Sequence, residues 1–266
     1  MRLIDSGSCS AELNMAIDES LFSTFDCDTA EPVLRLYTWN RPCLTLGYFQ
    51  RAADAVRRDA CRERGVDVVR RITGGRAVLH DQELTYCIVA PVKRGPFAGR
   101  LIDCYQAIAT CLAESCEQLG ISKNMIEVVT GARGGSASAA CFMMASAYEI
   151  MVGGRKLIGS AQKRNDDVFV QHGSIPLRID MPLTLSVMRL EENSPGGGAG
   201  LPMPSCLEEL AGRPLEYDEV KKAIKEGFRL SLEEEVVPSD LSEQEARLAG
   251  ELAREKYGTD AWNFRR

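Results

Sequence analysis

Histidine is scarce in this 266-residue chain: only His80 and His172 occur, alongside two tryptophans. None of the ten cysteines is paired at the C-x-x-C spacing, so a zinc knuckle or dithiol redox centre is excluded and no metal is expected. No apolar run approaches the ~20 residues needed to cross a bilayer. The amino terminus, MRLIDSGSCSAELN, lacks the apolar core of a secretory signal. There is no G-x-x-x-x-G-K-[ST] run and no G-x-G-x-x-G fingerprint, which removes the two familiar glycine-rich nucleotide cradles. Positive charge is also in deficit. The 32 Lys and Arg against 38 Asp and Glu leave a net charge of −6, which disfavours electrostatic binding to nucleic acid or an anionic membrane. These absences lead us to expect a cytoplasmic location and thiols that are reduced and mostly buried.

What remains is an ordinary globular composition, 45% hydrophobic and 26% charged, in a chain long enough to bury a substantial core. The charge is unevenly placed. Arg51, Arg57, Arg58, Arg62, Arg64, Arg70, Arg71 and Arg76 face only Asp54, Asp59, Glu63 and Asp67 in the same stretch. A basic region on an acidic protein suits a small anion or an acidic partner protein. Individually, such arginines more often just solvate a helix face.

Leu13, Ala16, Ile17 and Leu21 recur at helical spacing within residues 11–22. Strands are expected at 33–39 and 43–49, a charged helix at 52–64, and strands on both sides of Gly74-Gly75. Residues 101–119 form a clear amphipathic helix. A small-residue loop, 131–140, runs into Cys141. Three strands follow at 147–152, 156–162 and 167–177, the first two joined by a tight Gly153-Gly154 turn. Residues 191–205, EENSPGGGAGLPMPS, read as a flexible loop. The pattern predicts an α+β fold with a mixed, mostly antiparallel sheet flanked by helices. The expected organisation is a core over 1–190, the loop 191–205, and carboxy-terminal helices over 206–266 packed on the same domain.

The richest stretch is Arg70–Tyr86, RRITGGRAVLHDQELTY. Gly74-Gly75 lets backbone approach a ligand and offers N–H groups to an anion, or it makes a β-bulge. Arg71 and Arg76 on either side favour an anion-handling loop. His80-Asp81 reads equally as an imidazole oriented by a carboxylate or as a polar turn at a strand end.

This stretch resembles the signature R-R-x-[ST]-G-G-[GR]-A-V-x-H-D of the lipoate/biotin protein ligase superfamily. NMAIDESL (14–21), LYTWNRPCLTLGYFQ (36–50), GRKLIGSAQKR (154–164), QHGSIPL (171–177) and the carboxy-terminal KYGTDAWNFRR resemble other segments of it, in order. The resemblance covers nearly the whole chain and implies that superfamily's catalytic-domain fold. ACFMMASAYEI (140–150) is similar to the octanoyltransferase pattern A-C-F-x-x-x-S-x-Y-E-[IL], with Cys141 at the nucleophile position. Gly-Gly-Arg replaces the Gly-Gly-Gly usual in the ATP-dependent ligases, their Asn-Asp pair is missing, and 266 residues leave little room for an added domain. Met143 departs from the pattern, since such acyltransferases often have Asp there.

On this resemblance the chain is an acyltransferase that takes octanoate from octanoyl-acyl carrier protein onto Cys141. It then passes the octanoyl group to a lysine of a lipoyl domain, of which the glycine-cleavage H protein is one example. Lys156, at the family's lysine position, is the implied cation that lowers the thiol pKa from about 8.5 and stabilises the oxyanion. Without the resemblance, Lys156 reads as a strand-end lysine and Cys141 as one buried thiol among ten. Arg71, Thr73, Gly74, Gly75, Arg76, Ala77, Val78, His80, Gly159, Ser160 and Ala161 are the implied substrate-binding residues. The acyl tunnel is expected along 43–48, 72–79 and 157–161, including Leu46, Val78 and Ile158. His80 is a candidate base for the attacking lysine, whose pKa in water is about 10.4. No cofactor is implied. ATP and magnesium enter only in the alternative of a lipoate ligase working through lipoyl-AMP. Two further alternatives are octanoyl transfer between lipoyl domains and a non-catalytic acyl- or carrier-binding scaffold.

Overall fold

Every residue of Glu83–Pro91 and of Val168–Pro176 is buried, and these two antiparallel strands form the centre of the molecule. Their side chains alternate between two apolar layers, as a strand's period of two requires. Leu84, Tyr86 and Ile88 face one layer with Phe169, whereas Cys87 and Val89 face the other with Val170.

The computed structural model describes residues 1–129, 149–189 and 204–266. Cys141, Met143, the 131–140 loop and all but the last two residues of 191–205 lie outside the described residues. The first half runs β1 (Arg2–Cys9), α1 (Ala11–Thr24), β2 (Val33–Trp39), β3 (Cys43–Leu46), α2 (Ala52–Ala55) and α3 (Arg58–Glu63). It continues with β4 (Asp67–Arg70), β5 (Val78–His80), β6 (Glu83–Pro91), α4 (Leu101–Gln118) and β7 (Ile126–Val129). The second half holds β8 (Glu149–Val152), β9 (Arg155–Arg164), β10 (Val168–Pro176), α5 (Met181–Val187) and α6 (Leu207–Ala211). It ends with α7 (Tyr217–Leu232), β11 (Val237–Pro238), α8 (Glu243–Leu252), one π-helical turn at Ala253–Tyr257, and α9 (Asp260–Asn263).

Eight strands form one sheet in the order β11-β1-β2-β6-β10-β9-β8-β7. Its first two pairings are parallel and the others antiparallel. Helices α4 and α7 cover one face, with Ile108, Leu112, Ile224 and Phe228 in the apolar layer. Helix α1 covers the other face with Met15, Ile17 and Leu21, backed by Ala249 and Tyr257. A small second sheet, β4-β3-β5, has its own core with α2, α3 and α5. The expected α+β architecture is what the chain adopts.

Three expectations change in detail. The single helix expected over 52–64 is broken into α2 and α3. Val56 is extended and bridges Met188, and the Arg57 N–H donates to Val187 O at 2.8 Å, so tertiary pairing overrides helix continuation. The strand expected from Ala77 through Pro91 splits at Asp81-Gln82, with β5 in the small sheet and β6 in the large one. Likewise β2 and β3 part into different sheets, and the strand expected to reach Phe49 ends at Leu46. The Gly153-Gly154 hairpin forms as expected, both residues having positive φ (57° and 74°) as a two-residue primed turn requires. No helix among the described residues is long and apolar enough to cross a membrane.

Candidate active site

The 71–77 loop is fastened to the end of β3 and the residues after it. Arg71 N donates to Leu46 O at 3.0 Å and Tyr48 N to Thr73 O at 2.8 Å. A Cβ on Gly47 would lie 1.9 Å from Gly75 O, and Gly75 itself has φ +89°. Glycine at both positions is what permits this approach.

The Arg71 guanidinium is buried and knits the loop together. Nη2 donates to Gly74 O and Arg76 O, both at 2.8 Å. Nη1 donates to Thr45 O at 3.2 Å and Thr45 Oγ1 at 3.0 Å, and Nε to Thr73 Oγ1 at 3.1 Å. Five donors in a rigid fork suit this task.

Both histidines meet these threonines. His80 Nε2 is 2.9 Å from Thr45 Oγ1, and its Nδ1 is 2.6 Å from Glu83 Oε1. Its ring stacks on Trp39 with centroids 4.4 Å apart. Thr85 also donates to Glu83 Oε1 at 2.6 Å, and Ser174 donates to Oε2. His172 Nε2 is 2.7 Å from Thr73 Oγ1 and its Nδ1 is 2.9 Å from Asp18 Oδ2. Burial lowers the His172 pKa against the pull of Asp18, and the Arg71 charge adds to the lowering. Burial raises the Asp18 carboxyl, but the Arg35 guanidinium at 2.6 Å and the His172 bond outweigh it and hold the pKa below its ordinary value. Tyr37, which donates to Asp18 Oδ2 at 2.9 Å, is pushed well up by its burial and by that charge.

Lys156 stands on β9 next to the β8–β9 turn. Its side chain is 4% exposed, and Nζ donates to Glu149 Oε1 at 2.5 Å. Farther along, Ser160 Oγ lies 2.6 Å from Tyr86 OH, which accepts from Gln171 Nε2 at 2.9 Å. Burial pushes the Tyr86 phenol up to about 12, with those two bonds opposing.

These walls enclose a narrow cleft. Met15, Val78, Gly159 and Ala161 give it apolar surface, while Lys156, His80 and Arg71 contribute polar atoms. Of the residues singled out in the sequence, Arg71, Gly75, Val78, His80, Lys156, Gly159, Ser160 and Ala161 line the cleft. Thr73, Gly74 and Arg76 build the loop behind it. Ala77 and Leu46 instead pack into the core of the small sheet, each alternating with a neighbour that lines the cleft, Val78 and Thr45. Ile158 packs into a main core, set apart from Lys156 by the register shift between β8 and β9. Cys141 lies outside the described residues. The carboxylate on His80 is Glu83 rather than Asp81, since Asp81 sits in the turn after β5. Glu149, Glu83, Thr45, Asp18 and His172 were not singled out. Each lies in or beside a quoted motif, but its partner is set by strand pairing. Among the described residues, no group of three or more His, Cys, Asp or Glu side chains is placed to hold a metal ion.

Comparison with known proteins agrees with this geometry. Residues 10–229 match the family model "Lipoyl protein ligase A/B catalytic domain". The chain is 40% identical over 267 aligned positions to an octanoyltransferase LipM of Carboxydothermus hydrogenoformans, covering 99% of this chain and 98% of that one. It is 39% identical to an octanoyltransferase LipM of Symbiobacterium thermophilum, covering 100% and 98%. Among solved structures, a putative lipoate protein ligase of T. acidophilum with bound lipoic acid superposes with a TM-score of 0.83 at 22% identity, covering 100% of this chain and 98% of that one. That likeness speaks to the fold alone. By the family match and by full-length identity, the chain belongs to the lipoyl protein ligase A/B catalytic domain family.

Proposed function

We propose that this protein is an octanoyltransferase of protein lipoylation working through a thioester on Cys141. The observation that carries the reading is a buried ion pair, Lys156–Glu149, in the wall of a cleft with an aliphatic lining. A buried lysine costs desolvation, and here Glu149 pairs with it and holds it in place. The full-length relatives named octanoyltransferase support the same assignment.

In the first half-reaction the Cys141 thiolate attacks the carbonyl carbon of octanoyl-acyl carrier protein. A carbon–Sγ bond forms and the carrier's carbon–sulfur bond breaks. The carrier leaves as a thiol, with the proton that Cys141 gave up. One thioester replaces another, so the step needs no nucleotide. Lys156 Nζ supplies positive charge where the tetrahedral oxyanion develops. In the second half-reaction an uncharged lysine amine of the lipoyl domain attacks the acyl-cysteine. The carbon–nitrogen bond forms, the carbon–Sγ bond breaks, and the amine's proton ends on the Cys141 sulfur.

Other thiols are poorly suited to this role. No cysteine among the described residues lines the cleft. Burial pushes the thiols of Cys27, Cys43, Cys61, Cys87, Cys104, Cys111, Cys116 and Cys206 up, away from a reactive thiolate.

Incubation with octanoyl-acyl carrier protein, without ATP, tests the reading by intact mass. One octanoyl adduct, labile to hydroxylamine and missing from Cys141→Ser, is the expected result. Addition of a lipoyl domain then discharges it onto the acceptor lysine. No adduct from a verified, loaded carrier overturns the reading, and lipoate with ATP becomes the next substrate pair to try.

A further inference from the structure

The chain's two histidines come from different strands, yet their surroundings match. Each Nδ1 lies on a buried carboxylate, Glu83 for His80 and Asp18 for His172. Each Nε2 lies on a threonine hydroxyl, Thr45 and Thr73 respectively. Both hydroxyls are also bonded by one guanidinium, from Arg71 Nη1 to Thr45 and from Arg71 Nε to Thr73. The result is a continuous buried chain from Glu83 through His80, Thr45, Arg71, Thr73 and His172 to Asp18.

The donors in this chain can be counted. A guanidinium only donates, so both threonine oxygens accept from Arg71. Each hydroxyl keeps a second lone pair and a single proton, and among the described residues the imidazole nitrogen beside it is the acceptor available to that proton. The arrangement that satisfies every group leaves that nitrogen with its lone pair. The ring's proton therefore sits on Nδ1 and goes to the carboxylate. The same assignment follows for both rings, because a single cation stands behind both hydroxyls.

We propose that Arg71 is a positioning residue that locks His80 and His172 together as neutral Nδ1–H imidazoles, each keeping its Nε2 lone pair on the hydroxyl beside or behind the cleft. This rests on the proposed aminolysis, which it deepens. The incoming lysine must shed a proton, and a site already holding Lys156 and Arg71 gains from imidazoles that stay neutral. Protonating either ring adds a cation near Arg71 and leaves the threonine proton facing another N–H. The charged and titratable groups around the two rings act in the same sense or hold it in place. Glu83 from β6 and Asp18 from α1 accept the Nδ1 protons. Arg35 and Tyr37 from β2 occupy the other faces of Asp18, and Lys156 from β9 lines the same cleft. Held in this way, the His80 Nε2 lone pair is turned through Thr45 toward the proton that the incoming ammonium must shed before its uncharged amine attacks.

Two histidines make the test clean. Long-range ¹H–¹⁵N spectra of histidine-labelled protein should show two rings near neutral pH, each with protonated Nδ1 and bare Nε2. Thr73→Val should release only His172 to tautomer averaging. Arg71→Lys keeps a charge but cannot bond both hydroxyls, and should release at least one ring. Arg71→Met removes the charge and should move the acid limb of kcat/KM upward by about one pH unit. An Nε2–H tautomer in either ring of the unmodified protein overturns the proposal, as do unchanged tautomers in both Thr73→Val and Arg71→Lys. The spectra need no substrate, so they stand whether or not octanoyl transfer is observed. Spectra of the unmodified protein and Thr73→Val decide the matter even if the Arg71 variants do not fold.

Discussion

Arg70 and Arg71 are neighbours in the chain, fully or almost fully buried, and they meet opposite fates. Arg71 donates from all three of its nitrogens to carbonyls and hydroxyls. Arg70 donates from Nη1, to Gly47 O and Gln50 O at 2.7 Å and more distantly to Tyr48 O, while its Nε and Nη2 have no partner among the described residues. Burial, together with the nearby Arg265 and Arg266 charges, lowers the Arg70 pKa to about 10. The two side chains diverge because they leave the end of β4 on opposite sides. One faces the site and the other faces the carboxy-terminal segment, where Trp262 Nε1 caps Arg70 O and Asn263 accepts from Arg70 N. The difference teaches that a buried cation is kept in place by the number of acceptors arranged around it, not by burial itself.

Breaking the better-satisfied member should have the larger effect. Arg71→Ala leaves the Thr45, Gly74 and Arg76 carbonyls without this donor. At roughly 1–3 kcal/mol for each buried unsatisfied group, it should cost at least about 3 kcal/mol. Urea unfolding measures this, and a loss under about 1 kcal/mol would remove the contrast between the two arginines. Lys156→Met extends the comparison to a cation held by a carboxylate. Leaving Glu149 buried without its ion-pair partner should cost roughly 3–5 kcal/mol, and the double variant with Glu149→Gln should recover much of it. Acyl transfer should fall at least about 100-fold in both. Recovery of activity along with stability would deny Lys156 its catalytic role.

Acid should separate the two arginines more gently. His172 has its folded pKa below the ordinary 6.5, so the unfolded chain takes the proton first as pH falls. Its contribution is fully present above pH 6.5 and is lost on the way down, with a slope of at most about 1.4 kcal/mol per pH unit. Asp18, held below the ordinary 3.8, adds a second loss below that pH. Stability curves from pH 8 to 3 should show the first phase weakened in Arg71→Met, which removes a charge facing His172, and unaltered in Arg70→Met. The smallest effect belongs to Arg70→Met itself at pH 7. Two of its nitrogens have no partner among the described residues, and relief from Arg265 and Arg266 offsets the lost Nη1 bonds, so the expected change is within about 1 kcal/mol. A cost equal to that of Arg71→Ala would show that the unpaired nitrogens do not matter.

Much of the site could be read in the chain because its motifs are local. The Gly-Gly turn, Val78 and His80, Lys156 after the Gly153-Gly154 hairpin, and the Gly159–Ala161 stretch are strand residues or turns close to one another in sequence. Of these, Gly75, Val78, His80, Lys156, Gly159, Ser160 and Ala161 line the cleft with Arg71. Failures came where parity or distance decided. Ala77 and Leu46 lie in matching segments but alternate away from the cleft, and a register shift in β9 sets Ile158 apart from Lys156. Glu83 replaces Asp81 as the carboxylate on His80 because the chain turns between β5 and β6.

The sequence by itself determined the α+β pattern, the family and the 101–119 helix now seen as α4, and it singled out eight residues that line the cleft. Those follow from periodicity, turn chemistry and motif, each a property of a few adjacent residues. Only the tertiary structure decided that β2 and β3 part into two sheets and that His172 finds Asp18 across 154 residues. It also decided that one guanidinium of the Arg70-Arg71 pair bonds the threonine hydroxyls beside both imidazoles. Such partners are chosen by strand register and sheet packing, which bring together groups that no local pattern relates.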